Sequence, residues 1–306
     1  MAEINAKAVA ELRKQTGCGM MDCKKALVDA NGDFEAAIKI LREKGMAASA
    51  KKADRIAAEG LVDIMTEGNV TAMVEVNSET DFVAKNAIFQ EFVKSVLKTI
   101  IANKPADVNA LLACNVAGEA TTVADALNEH TYKIGEKLSI RRFVVVEGVV
   151  STYIHGMGNT GVVVNFVTDV ADKDGFAECA KNVALQVAAM SVGYLDKESV
   201  PASVLEEEKN ILIKQMQQDP KMANKPEQVL AKIVEGKLGK FYENNCLLEQ
   251  AYVKDDSLTV GKYVASVAKE LGGFIKVVGF VRFDKGEGIE KREDDLAAEV
   301  AKMVQG

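Results

Sequence analysis

Two hydrophobic periods alternate along the chain. Period two is cleanest in VTAMVEV, where Val70, Ala72, Val74 and Val76 fall on one side and Thr71, Met73, Glu75 and Asn77 on the other. That alternation predicts a strand with one buried face. Just beyond it, Phe89, Val93, Val96, Leu97 and Ile100 recur at helical spacing. Between strand and helix lies the polar loop SETDFVAKN, which holds one large aromatic, Phe82.

Residues 1–45 keep the helical period. A first helix is predicted from about Ala6 to Thr16, with Val9 and Leu12 inward, ended by TGCG. A second carries Cys23, Ala26, Leu27 and Ala30, and a third carries Phe34, Ala37, Ile38 and Leu41, both as amphipathic stripes. Asp33 suits the N-cap of the third helix, and Gly45 is expected to end it. The result is a three-helix N-terminal module. The Ala- and Lys-rich residues 46–58 read as a tether, in part helical, that lets it shift on docking.

An internal repeat follows. EGLVDIMTEGNVTAMVEVNSETD begins at Glu59 and EGVVSTYIHGMGNTGVVVNFVTD at Glu147, 88 residues later; Thr80-Asp81 and Thr168-Asp169 keep the same offset of 88. Each copy reads strand, Gly-Asn turn, strand, Thr-Asp, helix. A hairpin backed by a helix buries one sheet face, which predicts an α+β fold. Two copies imply duplicated core subdomains, over 59–146 and over 147–198 plus 242–285. After Thr-Asp the copies diverge: FVAKN against VADKD, so only the first offers an aromatic.

Residues 199–241 leave this pattern. Val204, Leu205, Ile211, Leu212 and Met216 form one stripe, and Leu230, Ile233, Val234, Leu238 and Phe241 another. A turn lies between them, with Pro226 suited to a first helical position. This predicts an inserted antiparallel helical hairpin. Its charged faces suggest projection from the body. Its apolar seam needs cover, from its own partner helix alone or from a second molecule as well. Thr259 reads as the N-cap of VGKYVASVAKEL, FIKVVGFVRF as a strand bent at Gly279, and REDDLAAEVAKMV as a closing helix within 286–306.

Composition works mainly by exclusion. The chain has 306 residues, 48% hydrophobic and 27% charged, enough for two or three domains. There is no run of about 18 apolar residues, so no membrane span is expected. The polar N-terminus resembles neither a secretory signal nor a transit peptide, which points to the cytoplasm. A net charge of −7 argues against gripping a phosphate backbone, and no aromatic-basic interleaving suggests direct nucleic-acid binding. Cys18 and Cys23 have four residues between them, the spacing of neither a redox nor a zinc pair, so the five cysteines read as reduced thiols.

Catalytic parts are scarce. His130 and His155 lie far apart, and the HExxH, GxSxG, phosphate-loop and GxGxxG patterns are absent. The carboxylates read as solvated faces, so no catalytic residue, cofactor or metal is expected. What remains is apolar side chains at loop-helix junctions. Met20 stands three before Cys23 and seven before Leu27, which extends the buried stripe. Met21 is turned by about 100° and shares a face with Lys24, Lys25 and Val28. It is either a lone surface methionine or an adaptable contact for a partner helix. With Thr80 as N-cap, Phe82 falls in a first turn, seven before Phe89. A core or staple role and an outward contact both stay open.

ELRKQTGCGMMDCKKAL, VNSETDFVAKN, IRRFVVVEG, YIHG and GFVRFDKGEGIEK, in order along nearly the whole chain, resemble bacterial elongation factor Ts. The resemblance implies a guanine-nucleotide exchange factor for the GTPase elongation factor Tu, bound in its GDP and nucleotide-free states. It implies a ubiquitin-associated-like N-terminal module, a two-subdomain core, an antiparallel coiled-coil hairpin and a C-terminal helical module. By motif match, Arg13, Met20 and Met21 would meet a helix of the GTPase nucleotide domain. Asp81 and Phe82, with Thr80 and Val83 beside them, fall on a tip that enters beside the magnesium site. Ile134 and His155 fall near the same interface. Val253, in QAYVKDD, matches a position that meets another GTPase domain, although this chain departs from the pattern with Lys254. LLACNVAGEATTV is longer than the family pattern and carries no assigned contact. Asp81 has two readings, capping the helix to fix Phe82 or perturbing the metal's water shell, and the first is favoured. The hairpin seam leaves room for a homodimer or a two-plus-two complex. An adaptor built on the three-helix module and an enzyme with a carboxylate site are the alternatives; neither needs Phe82.

Overall fold

A computed structural model describes residues 5–190, 192–218 and 227–290. The chain opens with α1 (Ala6–Thr16), α2 (Met20–Asp29) and α3 (Phe34–Lys52). Val9, Leu12, Cys23, Ala26, Leu27, Ala37 and Leu41 share one core. The side chains of Asn5 and Asp33 accept the N–H groups of Ala8 and Ala36, so both helix starts are capped. Two three-stranded antiparallel sheets follow. The first orders β1 (Glu59–Glu67), β2 (Val70–Ser78) and β3 (Ser139–Glu147). Between β2 and β3 run α4 (Asp81–Ala84), α5 (Ala87–Asn103), α6 (Val108–Ala113) and α7 (Val123–Ile134). The second orders β4 (Val149–His155), β5 (Thr160–Thr168) and β8 (Ile275–Asp284). Between β5 and β8 lie α8 (Asp174–Ala189), the hairpin α9 (Ala202–Gln218) and α10 (Glu227–Asn245), the short pair β6 (Ala251–Tyr252) and β7 (Asp255–Thr259), and α11 (Val260–Glu270).

Each sheet has its own core. Val70, Ala72, Val74 and Val76 pack against Phe89, Phe92, Val96, Leu97 and Ile100 of α5. Val162, Val164 and Phe166 pack against α8 and α11 through Phe176, Val183, Val260 and Val264. A third cluster joins the sheets: Val62, Met73, Val163 and Phe283. The expectation of a one-faced strand is therefore overturned, since every residue of β2 from Val70 to Ser78 is buried. Its polar face is covered by the other sheet. A charged residue there must be fully paired, and Glu75, 0% exposed, meets that demand. It accepts from Arg141 (3.0 Å), Arg142 (2.6 Å), Asn77 (3.0 Å) and the Gly286 N–H (2.8 Å).

Gly45 does not end α3, which continues to Lys52. The reason is tertiary. Gly45 is buried with its bare face toward the Asn128 and Glu129 backbone of α7, where a Cβ would lie 3.4 Å from the Asn128 carbonyl oxygen. Here glycine allows close helix approach. The Lys137 ammonium then holds the Ala53 and Arg55 carbonyls at 2.6 and 2.8 Å. The three helices are seated on α7, and half of the expected tether is helix.

The repeat keeps its hairpins but not its second helix start. Thr168 donates to the Phe274 carbonyl (2.7 Å) and Asp169 accepts the Phe274 N–H (2.7 Å), while α8 begins only at Asp174. Thr259 does cap α11, accepting the Lys262 N–H. A register shift opposite Asn165 and Phe166 lies beside Gly279, where a bend was expected. The long segment around Leu111 is folded: Leu111, Val116 and Val123 join the first core, and Asn115 bridges Thr122. In the hairpin, Leu212, Met216 and Leu238 are buried, but Ile211 is exposed. Neighbouring helical positions differ by about 100°, so Ile211 and Leu212 cannot share the seam. The hairpin turn with Pro226, and REDDLAAEVAKMV, lie outside the described residues. No helix among the described residues is long and apolar enough to cross a membrane.

Candidate functional site

The site is built where β2 hands over to α4. Thr80 has extended N-cap geometry, with φ −126° and ψ 158°, yet its side chain does not cap the helix. Its hydroxyl donates to Glu136 Oε1 (2.7 Å) and its N–H donates to Glu136 Oε2 (2.9 Å). Asn86 then starts a new helix, accepting the Ile88 N–H at 2.9 Å. Phe82 and Phe89 therefore do not lie on one continuous helix. Phe89 is fully buried, whereas Phe82 is 77% exposed. Val83, the next residue, turns inward and joins the first core. A staple role for Phe82 is excluded by its exposure.

Asp81 is the first helical residue, so it does not cap α4 as favoured from the sequence. Its carboxylate pairs with Lys85 four residues on, at 2.9 Å, and that hydrogen bond holds the acid below the usual carboxylate range. The Lys85 ammonium also stands 5.9 Å from the Phe82 ring centre.

Beside α4 lies a cleft of about 430 Å³, lined among others by Glu59, Asp81, Lys85, Met157, Asn159 and Lys285. The β4–β5 turn forms its far wall. The Asn159 N–H donates to the His155 carbonyl (3.0 Å), and Met157 stands 83% exposed at φ 55°. That left-handed conformation is uncommon for a residue with a Cβ. His155 itself is exposed and hydrogen-bonds Tyr153 at 3.1 Å. The charges in the cleft are matched in pairs, Asp81 with Lys85 and Glu59 with Lys285. Among the described residues, no three His, Cys, Asp or Glu side chains are grouped to hold a metal. The arrangement presents an aromatic and a thioether to the outside.

The other predicted positions are spread over the surface. Arg13 is exposed on α1. Met20 does not extend the buried stripe; it is 52% exposed, and Met21 63%. Met20 opens α2, and helical side chains lean toward the N-terminus, so it projects past the last layer of the bundle core. Val28, on Met21's face, is also exposed. Ile134 ends α7 half-buried against the first core, two residues before Glu136. Val253 lies exposed between β6 and β7, its N–H donating to Gln186 (2.9 Å), and Lys254 turns back onto Asn182 (2.7 Å). Val253 does not line the cleft.

Sequence reasoning missed Glu79, Glu136 and Met157. Glu79 accepts the Lys137 N–H (2.6 Å) and pairs with Arg55 (3.2 Å). No periodicity marks carboxylates that bond loops 56 and 58 residues away. Met157 carried one signal, a large apolar residue between two glycines in HGMGN.

Comparison with known proteins places these residues within a matched region. A family model described as elongation factor TS matches residues 79–287. Elongation factor Ts of Syntrophotalea carbinolica is 48% identical over 306 residues, covering 99% of this chain and 100% of that protein. Elongation factor Ts of Clostridium kluyveri is 47% identical, covering 99% of each. That of Clostridioides difficile is 48% identical, covering 100% of each.

Proposed function

The chain belongs to the elongation factor Ts family, whose role is in translation elongation, and on that premise we propose that it acts on elongation factor Tu as a guanine-nucleotide exchange factor. The observation that carries this reading is Phe82, a large aromatic 77% exposed on a one-turn helix whose neighbours Thr80 and Val83 are anchored. Leaving that much apolar surface in water is disfavoured. It is explained if the ring is buried in a partner.

Exchange needs no covalent chemistry. The factor must bind the nucleotide-free GTPase better than the loaded one, and the coupling is reciprocal. A buried Phe at an interface contributes roughly 2–4 kcal/mol, or about one and a half to three decades in affinity. Phe82 acts as a wedge that fits only when the partner's elements part beside its magnesium site. Displacing that ion's ligands weakens the nucleotide, whose phosphates the ion neutralises. Asp81, held by Lys85, stays charged at the same edge. Arg13, Met20 and Met21 dock the three-helix module of residues 1–45 on the nucleotide domain. Ile134 and His155 border the tip, and Val253 meets a second domain of the GTPase. In this reading residues 59–146, and 147–198 with 242–285, form the two core halves, 199–241 a projecting hairpin, and 286–306 a C-terminal module.

The test is release of fluorescent GDP from purified elongation factor Tu. Release accelerated by the chain supports the reading, and an unchanged rate at saturating chain concentration refutes it.

A further inference from the structure

Two loops far apart in sequence are clasped by exchanged carboxylates. Glu136 takes both the N–H and the hydroxyl of Thr80, at 2.9 and 2.7 Å, and Glu79 takes the N–H of Lys137 at 2.6 Å. Each loop lends an acid to the other's backbone, as paired strands lend carbonyls. Hydrogen bonds to a charged acceptor are about twice as strong as neutral ones. The clasp continues outward. Lys137 holds the Ala53 and Arg55 carbonyls just past the end of α3, and the Arg55 guanidinium closes on Glu79 at 3.2 Å. A path of direct bonds therefore runs from the three-helix unit to Thr80, two residues from Phe82.

We propose that Glu136, with Glu79 and Lys137, is a positioning joint that holds the Phe82 tip in the orientation needed for exchange, at a fixed place relative to the three-helix unit. This rests on the reading of Phe82 as the wedge. The physical need is clear from α4, which has only four residues. So short a helix is not stable alone, and its direction is set by its anchors. Val83 anchors it from below. Glu136 fixes its start. Without Glu136, the Thr80 N–H and hydroxyl turn to water, the turn frays, and Phe82 must be ordered at the moment of docking. The joint also relates two surfaces to one partner. Two contacts held at a set spacing act together only when the geometry permits both.

The test compares wild type with Glu136→Ala and Glu136→Gln. In the free chain, amide hydrogen exchange over residues 80–85 is expected to rise about tenfold or more in Glu136→Ala, as both charge-assisted bonds to Thr80 are lost. With the GTPase, the GDP-release rate at saturating factor is expected to fall about tenfold, while the half-saturating concentration rises by less, because the Met20–Met21 surface is intact and only its fixed spacing to the tip is loosened. Glu136→Gln, which keeps a carbonyl acceptor, is expected to fall between. Unchanged amide exchange, or an unchanged saturating rate, overturns the proposal. So does a rate loss that merely tracks a loss of folded protein. If Glu136→Ala fails to fold, Thr80→Val removes the hydroxyl from the other side and is read by the same two measurements. If wild type itself releases no GDP, the exchange reading falls, and amide exchange alone decides whether Glu136 orders the tip.

Discussion

Met73 on β2 lies against Gly161 on β5, across the gap between the two sheets. A Cβ on Gly161 would come 2.9 Å from Met73 Sδ and 2.5 Å from Val62 Cγ1. The glycine lets the sheets close, and the closed sheets bury the second face of β2. The surface bearing Phe82 depends on that closure, because the β4–β5 turn that walls the cleft rests on β1 through the Val62 N–H to the Gly158 carbonyl, 2.8 Å.

Gly161→Ala is expected to destabilise the chain by about 1–3 kcal/mol, the usual range for overpacking a filled core. Gly236→Ala is the control, since nothing lies within 4 Å of its Cβ position in α10. It is expected to stabilise by up to about 1 kcal/mol. Urea unfolding of both variants checks the pair. Equal effects would show that the sheet contact has slack.

Acid is expected to weaken the fold in two stages. Burial works to raise the Glu75 acid, but the Gly286 N–H, Asn77, Arg141 and Arg142 together hold it below the usual glutamate range. A depressed acid contributes stability above its unfolded value, about pH 4.3, and loses it as pH falls through the folded value. Burial also lowers His130, whose ring stacks on Phe92 with centres 4.5 Å apart. The unfolded chain then takes up that proton first, so stability declines as pH falls below about 6.5. Thermal melts across pH should show both stages. Glu75→Gln should remove the lower one while costing about 1–3 kcal/mol, because Arg141 and Arg142 lose their shared carboxylate although Arg142 keeps Glu287. An unaltered lower stage in that variant would assign it to other groups.

Phe82→Ala is expected to leave the melting curve within about 0.5 kcal/mol of wild type, as for exposed positions generally. GDP release should fall by on the order of a hundredfold, from a lost hot spot. A large stability loss would mean that the ring packs inward in solution. Wild-type release would remove it from the mechanism.

Met20→Ser with Met21→Ser is expected to weaken GTPase binding about tenfold or more with little change in stability, since both side chains are more than half exposed. Calorimetric titration checks this. The substitutions are preferable to deleting residues 1–45, which would cut α3 midway and bare the face of α7 that Gly45 covers. Unchanged affinity would place the docking surface elsewhere.

Much of the fold was legible because helix and strand periods report which side of an element is apolar. The cores of α1 to α3, the caps at Asp33 and Thr259, and the hairpin of β1 and β2 follow from neighbouring residues. The failures share one cause. Gly45 reads as a stop and serves as a contact, and Thr168-Asp169 reads as a helix start and serves β8. A residue type suits several local roles, and distant partners choose among them.

At the candidate site, the order of residues alone shows that an aromatic follows Thr-Asp in one copy of the repeat and not in the other. It could not say where that aromatic points. Tertiary structure decided that, through Asn86 starting a separate helix, Val83 entering the core, and Glu136 reaching Thr80 across 56 residues. It also decided that Glu75 is buried and paired, and that Met157 stands beside the cleft. Spacing along a chain encodes direction around one element. The position of a second element is set by which surfaces close together, and that is a property of the packed whole.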